Sequence, residues 1–440
     1  MTFFGYIMLF GWIPLSALFF YLLKPHRAVL FSIIGGWLFL PVIDFDLPGL
    51  PTFSKSTSIA LGLIIGSFLF RKIKSASFHW KIYDLPVLVF CLSPFFTSLS
   101  NKLGFTNGLS DVFSHFLGWG IPYLAGRIHF TSDDKIKDLC FGIIVGGLIY
   151  LPLCLYEIRM SPQLSNIFYG FFPHSFLQHI RYGGFRPIVF MKHGLMVSLW
   201  MANSTIAAFW LWQNRELMRI KGIPMFLLIV PLTFATVLCK SANGWVALFL
   251  GFVGYFILRF LKSLKPFQIF ILLIPLYLFL RIFGGLPITD IVELSSGIFD
   301  VDRTASLEIR LKQEDLFREK ALQRPFLGWG GYGRYWPIDE QTGQSQIKMV
   351  DALWTVIFGK FGFIVLSSMV LMILIGPWLT LLYQSKIPFD SSFFQTAPLA
   401  LSFIVVLFML DSLVNAMFNP VYILISGGLC ARYSILSNTS

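Results

Sequence analysis

Two arginines and a histidine lie in a stretch of the sequence whose residue types suit the binding of an anion. Arg181 and Arg186 enclose a Tyr-Gly-Gly-Phe segment, Pro187 follows, and His193 stands where the next apolar run begins. Arginine suits phosphate because its planar guanidinium group donates paired hydrogen bonds. The paired glycines permit backbone conformations that could aim both arginines at one anion. These arginines could equally contact lipid headgroups or loop carboxylates, and the local sequence leaves both interpretations open.

A second charged stretch predicts a helix near 303–323. It carries Arg303 and Arg310, and its apolar residues recur on one broad side at helical spacing. A turn-rich segment follows in which glycines alternate with Trp329 and Tyr332. Such a loop could bring backbone N–H groups close to an oxyanion or a sugar, or it could be a structural turn.

One acidic residue stands at the start of a later apolar run. Asp351 precedes Ala352-Leu353-Trp354, so it would lie at the N-terminus of a helix. Aspartate is a favoured N-cap residue. It can also act as a general base, or as a carboxylate that orients an acceptor hydroxyl. One residue could serve both purposes.

Polar residues within apolar runs form another group of candidates: Lys240, Asn243, Lys360, Asp411 and Asn415. An ionisable residue at membrane depth is a functional hypothesis by default, because burying it is costly. Lys240 and Asn243 lie near the end of a run, where a long side chain can reach water. Asp411 could instead pair with Lys360, which would make both of them structural.

The sequence predicts no metal site and no cofactor. His174 and His179 flank a Phe-rich stretch, and no spacing supplies a third or fourth ligand. The five cysteines fall in or at the ends of apolar runs without a CxxC motif. They are therefore predicted to be buried free thiols.

The composition places these segments in a membrane protein. The chain has 440 residues, a mean hydropathy of +0.73 and only 13% charged residues, against about 25% in soluble domains. So apolar a chain cannot cover itself with polar surface in water, and lipid must cover part of it. The net charge of +12 does not indicate nucleic-acid binding, because the basic residues sit in short loops between apolar runs, where they orient a membrane protein.

Apolar runs long enough to cross a bilayer predict an all-α, polytopic transmembrane bundle of about 12–13 spans in a single domain, 1–440. They lie near 3–23, 28–43, 57–70, 85–99, 109–127, 139–156, 194–213, 223–239, 243–260, 266–283, 353–383, 393–415 and 420–437.

Two long connections, 157–193 and 284–352, interrupt the spans. Most Lys and Arg of the short loops occur in one alternate set, which assigns that set to the cytoplasm. Both long loops then fall on the outer side and form a cap of loops and one helix. Loops of this length are usually functional or disordered, and their richness in aromatic residues argues against disorder.

The order of these segments resembles the O-antigen ligase and O-antigen polymerase superfamily of bacterial envelopes. The resemblance covers about 180–370 by motif and the whole chain by hydropathy. It is carried by Arg-x-Gly-Gly-Phe-Arg-Pro before a His-Gly span start, and by a charged outer helix followed by Arg-Pro-Phe-Leu-Gly-Trp-Gly-Gly-Tyr-Gly. A polar residue at the next span entrance, with Lys-Phe-Gly-Phe downstream, completes the pattern.

The resemblance implies a metal-independent glycosyltransferase, multi-pass in the bacterial inner membrane, that works at the periplasmic face. Its donor would be an undecaprenyl-diphosphate-linked glycan, and its acceptor a lipid or another glycan. Arg186 and Arg310 match family arginines that hold the diphosphate, with Arg181 and Arg303 as weaker matches. Lys240 stands where relatives often have an arginine.

Asp351 departs from the family pattern, because ligases tend to carry a histidine at this entrance. That difference favours a polymerase or a more divergent polysaccharide enzyme. In the implied mechanism, Arg186 and Arg310 neutralise the leaving diphosphate, and Asp351 accepts or orients the acceptor hydroxyl. Four aromatic side chains would stack on sugars and the 303–320 helix would act as a lid: Tyr182, Trp329, Tyr332 and Trp336.

Three other interpretations stay open. A lipid-linked glycan flippase or other transporter should show repeated halves and charges deep in several helices, and neither feature is evident. A protein O-oligosaccharyltransferase of the same superfamily would share the donor chemistry and differ in its acceptor. A non-catalytic assembly protein would tolerate changes to the loop arginines.

Overall fold

The computed structural model describes residues 2–45, 52–70, 78–284, 286, 288–297, 301–331, 333–338, 345, 351–388 and 395–439. Helices dominate these residues, because backbone polar groups within an apolar run must be satisfied inside the segment. The helices are α1 Phe3–Leu22, α2 Pro25–Leu30, α3 Gly36–Phe39, α4 Lys55–Leu69, α5 Leu85–Ser100, α6 Phe105–His115, α7 Ile121–His129, α8 Asp133–Met160, α9 Leu164–Tyr169, α10 Gly194–Gln213, α11 Met225–Leu238, α12 Ala242–Leu261, α13 Lys265–Ile282, α14 Ile288–Ser296, α15 Val301–Leu322, α16 Leu353–Gln384, α17 Thr396–Ser412 and α18 Pro420–Thr439.

Short turns and hairpins complete the described secondary structure. π-Helical turns at Phe31–Gly35 and Phe116–Gly120 join α2 to α3 and α6 to α7. Three two-stranded antiparallel hairpins are formed by β1 Asp44–Phe45 with β2 Phe53–Ser54, β3 Ile180–Arg181 with β4 Gly184–Phe185, and β5 Arg219–Ile220 with β6 Ile223–Pro224.

The predicted all-α membrane architecture is confirmed in the part of the chain that the structure describes. Seven helical segments there are long and apolar enough to cross a membrane, and four apolar helices are shorter. Each predicted apolar run contains a helix. The runs near 28–43 and 109–127 hold α2–α3 and α6–α7, whose axes are interrupted by the π-helical turns. The total of 12–13 spans stays a prediction.

The helices at the centre of the bundle are buried on all sides, while the peripheral helices expose large apolar residues. Trp200 and Trp210 of α10 are fully buried. Phe68, Phe249 and Phe260 on outer helices are exposed. Exposed apolar side chains of this size on many helices are unusual in a water-soluble monomer, so they are the surface that lipid would cover.

Glycines allow close contact between α7 and α18. A Cβ atom on Gly126 would lie 2.2 Å from the Leu424 carbonyl oxygen, and one on Gly427 would lie 2.1 Å from the Tyr123 carbonyl oxygen. Small residues at helix–helix contacts are typical of membrane bundles, because they let backbones approach.

Contacts between distant segments distinguish the two ends of the bundle. At one end, Arg127 pairs with Asp84 at 2.7 Å, and Arg432 pairs with Asp133. This end holds the basic loops that the charge distribution assigns to the cytoplasm.

At the opposite end, the Asn101 side chain donates to the Gly328 carbonyl at 3.0 Å, and the Asn243 side chain contacts Asp411 at 3.2 Å. The α16–α17 hairpin brings the start of α16 and the end of α17 to this same end. The Lys240 side chain, next to α12, contacts Tyr182 of the first long loop, so both long loops lie at this end of the bundle.

Candidate functional site

The β3–β4 hairpin presents the first group of basic residues, which we call the arginine cluster: Arg181, Arg186 and Lys240. Tyr182 and Gly183 form the hairpin turn with φ angles of +48° and +66°, as a two-residue hairpin requires. The Arg186 guanidinium donates to the Lys240 carbonyl at 3.2 Å, and the Lys240 ammonium donates to the Tyr182 carbonyl at 3.1 Å. The hairpin and the connection between α11 and α12 are thus held together by the basic residues themselves.

Arg186 is a buried cation without a carboxylate partner among the described residues. Its guanidinium makes the one bond to the Lys240 carbonyl, and its Nε has no partner in that part of the chain. Burial and the nearby positive charge of Arg181 lower the pKa of Arg186 to about 10. A buried guanidinium with unused donors favours the approach of an anion.

The Arg186 side chain packs against the backbone of Gly194, where a larger residue would clash. A Cβ atom on Gly194 would lie 2.2 Å from Cδ of Arg186 and 3.0 Å from the Pro187 carbonyl oxygen. Gly194 is the first residue of α10, and His193 is its N-cap. The predicted residues His193, Arg186 and Lys240 are therefore brought together at one helix end.

Two charged residues that the sequence analysis missed fix the segment after Arg186. The buried carboxylate of Glu157 accepts hydrogen bonds from the backbone N–H groups of Ile188 and Val189, at 2.8 and 2.7 Å, and of Leu164 at 2.9 Å. The buried Lys55 ammonium donates to the carbonyls of Trp37, Leu40 and Phe190. Glu157 and Lys55 each lie at the end of an apolar run. That position was the only feature of the sequence that could have indicated their role.

The three loop histidines form a compact group, which we call the histidine triad: His174, His179 and His193. The centroids of the His174 and His193 rings lie 4.9 Å apart, and each lies 6.0 Å from the centroid of His179. Nδ1 of His193 accepts from the Leu195 backbone N–H at 3.1 Å, which caps α10. The triad lies beside the arginine cluster, because Arg186 donates its backbone N–H to the His179 carbonyl.

The second loop forms a separate group around an ion pair of two predicted site residues. The Arg310 Nε lies 3.4 Å from a carboxylate oxygen of Asp351. The side chains are 48% and 27% exposed, so the pair is open to water and to a substrate. Arg310 lies on α15, which contacts α16, and Asp351 lies two residues before the first residue of α16. The N-cap of α16 is Ala352, so the N-cap interpretation of Asp351 is wrong.

Glu314 lies one helical turn after Arg310 and was not predicted as a site residue. The buried Arg281 of α13 pairs with Asp315 at 2.6 Å and approaches Glu314 at 3.6 Å. Burial raises the pKa of Glu314 to about 7, despite the opposing effect of Arg281. A carboxyl group that titrates near neutral pH beside the Arg310–Asp351 pair is a candidate proton carrier.

The glycine-rich segment after α15 is used for packing. The backbone N–H groups of Trp329 and Gly330 donate to carbonyls of α16 at 3.0 and 2.8 Å. Lys320 and Arg324 lie over the Trp329 ring at 4.1 and 4.8 Å, so a sugar would have to displace one of them. Tyr332 lies outside the described residues. Of Arg303 only the backbone is described.

The polar residues within the spans have hydrogen-bond or ion-pair partners, and these contradict the predicted pairing of Lys360 with Asp411. Lys360 pairs with Asp111 at 3.5 Å, and Asp411 accepts from Asn243 at 3.2 Å and from Asn415 at 2.7 Å. The predicted pairing of Lys360 with Asp411 is therefore wrong. It failed because the sequence does not reveal which helices are neighbours.

The predicted diphosphate-binding arginines lie in different groups. Among the described residues, no hydrogen bond or ion pair joins Arg186 to Arg310. Both groups nevertheless lie at the same end of the bundle. Asn243, which follows Lys240 closely in the chain, donates to Asp411 of α17. In the part of the chain that the structure describes, Arg310 has a carboxylate partner and Arg186 has none, so the two arginines differ in what they can bind.

Within the described ranges, no group of three or more His, Cys, Asp or Glu residues could hold a metal ion. All five cysteines are buried and free, as predicted. No family model, curated protein or solved structure matches this chain.

Proposed function

We propose that this chain is a membrane glycosyltransferase that takes a glycan from a polyprenyl diphosphate, in the manner of O-antigen polymerases and ligases. The observation that carries the proposal is the arginine cluster, in which the buried Arg186 lies beside Arg181 and Lys240 and lacks a carboxylate partner among the described residues. A buried guanidinium beside the positive charges of the exposed Arg181 and the half-buried Lys240 is costly unless an anion neutralises it. The charge of a diphosphate meets that requirement.

The position of the cluster favours an anion that is attached to a lipid. Arg186 lies at the N-terminus of the apolar helix α10, and Lys240 lies between the apolar helices α11 and α12. A diphosphate whose lipid tail lies in the bilayer would reach this depth. The distribution of basic loops favours the non-cytoplasmic side for the cluster, which in the proposed function is the periplasmic side of a bacterial inner membrane.

The chemical step would be displacement at the anomeric carbon of the donor glycan. The acceptor hydroxyl oxygen forms the new glycosidic bond, and the bond from the anomeric carbon to the phosphate oxygen breaks. The electron pair leaves on the diphosphate, where Arg181, Arg186 and Lys240 stabilise the added negative charge. The hydroxyl proton passes to Asp351.

We give Arg310 a role different from the one that the sequence favours. Arg310 contacts Asp351 at 3.4 Å, so it would hold that carboxylate ionised and oriented instead of binding the diphosphate. The donor and acceptor glycans would bridge the two groups across the outer end of the bundle. Asp351 in place of a histidine favours a glycan acceptor, as in a polymerase.

Glycan transfer in proteoliposomes tests this assignment. The purified chain is supplied with an undecaprenyl-diphosphate-linked glycan, and the length of the lipid-linked product is followed. Arg186→Gln should reduce the rate by about 100-fold, as the loss of a charge-stabilising donor does elsewhere. Arg219→Gln, a change at an exposed arginine at the opposite end of the bundle, is the matched control and should leave the rate unchanged. Equal rates for the two variants would overturn the role of Arg186.

A further inference from the structure

The ring nitrogens of the histidine triad are largely without partners. His179 and His193 are buried. Three ring nitrogens have no hydrogen-bond partner within the described residues: Nδ1 and Nε2 of His179, and Nδ1 of His174. An unpaired buried nitrogen costs free energy. Three such nitrogens, in two rings whose centroids lie 6.0 Å apart, therefore indicate a group that is completed by a ligand or a proton.

Burial keeps His179 and His193 of the triad neutral in this structure. Burial, together with the positive charges of Arg181 and Arg186, lowers the pKa of His179 to about 4 and that of His193 to about 3. An anion bound at the arginine cluster would oppose the repulsion by these arginines, and its negative charge would favour protonation of a nearby imidazole.

Among the residues that the structure describes, the other elements packed nearby supply no free negative charge. From the end of α11, Lys240 adds a further positive charge through its contact with the hairpin, and Cys239 is buried beside it. From α8, the carboxylate of Glu157 is committed to three backbone N–H groups. The negative charge that would stabilise an imidazolium must therefore come with the ligand.

The proton cannot be taken up by all three rings alike. Nδ1 of His193 accepts the Leu195 N–H at 3.1 Å, so the neutral ring carries its hydrogen on Nε2. A second proton on Nδ1 would break the N-cap of α10, which is worth about 1 kcal/mol. His174 and His179 carry no such bond on the nitrogens named above.

We propose that binding of the diphosphate at the arginine cluster draws one proton onto the His174–His179 pair, so that the site takes up its donor as an anion together with a proton. This inference rests on the proposed function and adds a pH dependence to it. Between the titration ranges of the empty and the occupied site, affinity should fall as pH rises, by up to tenfold per pH unit. Release of the product carrier would then be favoured when the proton leaves.

Calorimetry with geranyl diphosphate as the probe tests the proton count. The full-length chain is titrated at pH 6.5 in buffers of different ionisation enthalpy, which yields the protons taken up per molecule bound. The double variant His174→Gln/His179→Gln is compared with His79→Gln, a change at an exposed histidine near the opposite end. Protonation of the probe itself cancels in the difference. The natural chain and His79→Gln should take up about one proton more than the double variant.

Equal proton counts with intact binding would overturn this inference and leave the proposed function standing. Failure of the natural chain to bind geranyl diphosphate at any pH would overturn both. If the double variant does not fold, the test uses the natural chain alone. Its affinity for methanedisulfonate, a dianion that does not titrate in this range, is then measured as a function of pH. Its affinity should fall at least tenfold from pH 5.5 to 7.5, and a constant affinity would refute proton uptake.

Discussion

Replacement of Glu157 by glutamine should release the backbone segment that follows the arginine cluster. The carboxylate accepts from Leu164 through one oxygen and from Ile188 and Val189 through the other, at 2.7 to 2.9 Å. Glutamine keeps the shape but has one acceptor oxygen, so its amide N–H₂ must face at least one backbone N–H group. The variant therefore orphans one donor and turns two charge-assisted bonds into neutral ones.

The magnitude follows from these three bonds. An orphaned buried donor costs about 1–3 kcal/mol, and two bonds weaken by about 1 kcal/mol each when the acceptor loses its charge. Part of this loss is offset because glutamine does not require burial of a charge. A net effect of about 2–3 kcal/mol corresponds to about 30- to 150-fold faster local opening.

Hydrogen–deuterium exchange of the amides of Ile188 and Val189 measures this opening directly. Glu216→Gln is the matched control, because Glu216 accepts from the Thr396 backbone N–H at 2.7 Å at the opposite end of the bundle. Glu216→Gln should change the amide exchange rate near Thr396 and leave the exchange rates of Ile188 and Val189 unchanged. Unchanged exchange at 188–189 in Glu157→Gln would refute the view that this carboxylate fixes the loop.

Three further changes test other parts of the site. Gly194→Ala should displace the arginine cluster by its 2.2 Å clash and weaken geranyl diphosphate binding at least tenfold, whereas Gly118→Ala, where a Cβ meets nothing within 4 Å, should bind normally. Glu314 has a pKa raised to about 7 by burial, so the folded chain binds the extra proton and stability should fall by up to about 3 kcal/mol from pH 4.5 to 7. Thermal unfolding of Glu314→Gln should lack that fall, and an identical pH profile would contradict the assignment. In a double-mutant cycle, Arg310→Gln and Asp351→Asn should show a coupling free energy of at most about 1 kcal/mol in stability, because their ion pair is exposed. Asp351→Asn should nevertheless slow glycan transfer about 100-fold. A normal transfer rate in this variant would exclude Asp351 as the proton acceptor.

The fold was predictable because each apolar run contains enough residues to require internal hydrogen bonding, and a helix provides it. The interruptions near 28–43 and 109–127 were visible only as short or glycine-containing runs, since a π-helical turn has no clear sequence pattern. Tertiary neighbours were not predictable. Lys360 pairs with Asp111, because the choice among carboxylates depends on which helices pack together.

The candidate site was predictable by residue type and less so by grouping. Arg186, Lys240 and His193 were each predicted as site residues, and one helix end brings them together. Arg186 and Arg310 were expected to hold one diphosphate, and they lie in different groups. Glu157 and Lys55 were overlooked because a single charge at the end of an apolar run normally marks a membrane boundary. Here both are buried and hold backbone groups, a role that depends on a loop returning to them from another part of the chain.

The central claim is that the arginine cluster holds the diphosphate of a lipid-linked donor. The most direct measurement is a cryo-electron microscopy structure of this chain with a bound undecaprenyl diphosphate. Phosphate oxygens should lie within hydrogen-bond distance of the Arg186 guanidinium and the Lys240 ammonium, with the lipid tail against α10 or α12. Diphosphate density at another place, with Arg186 still bonded to the Lys240 carbonyl alone, would contradict it.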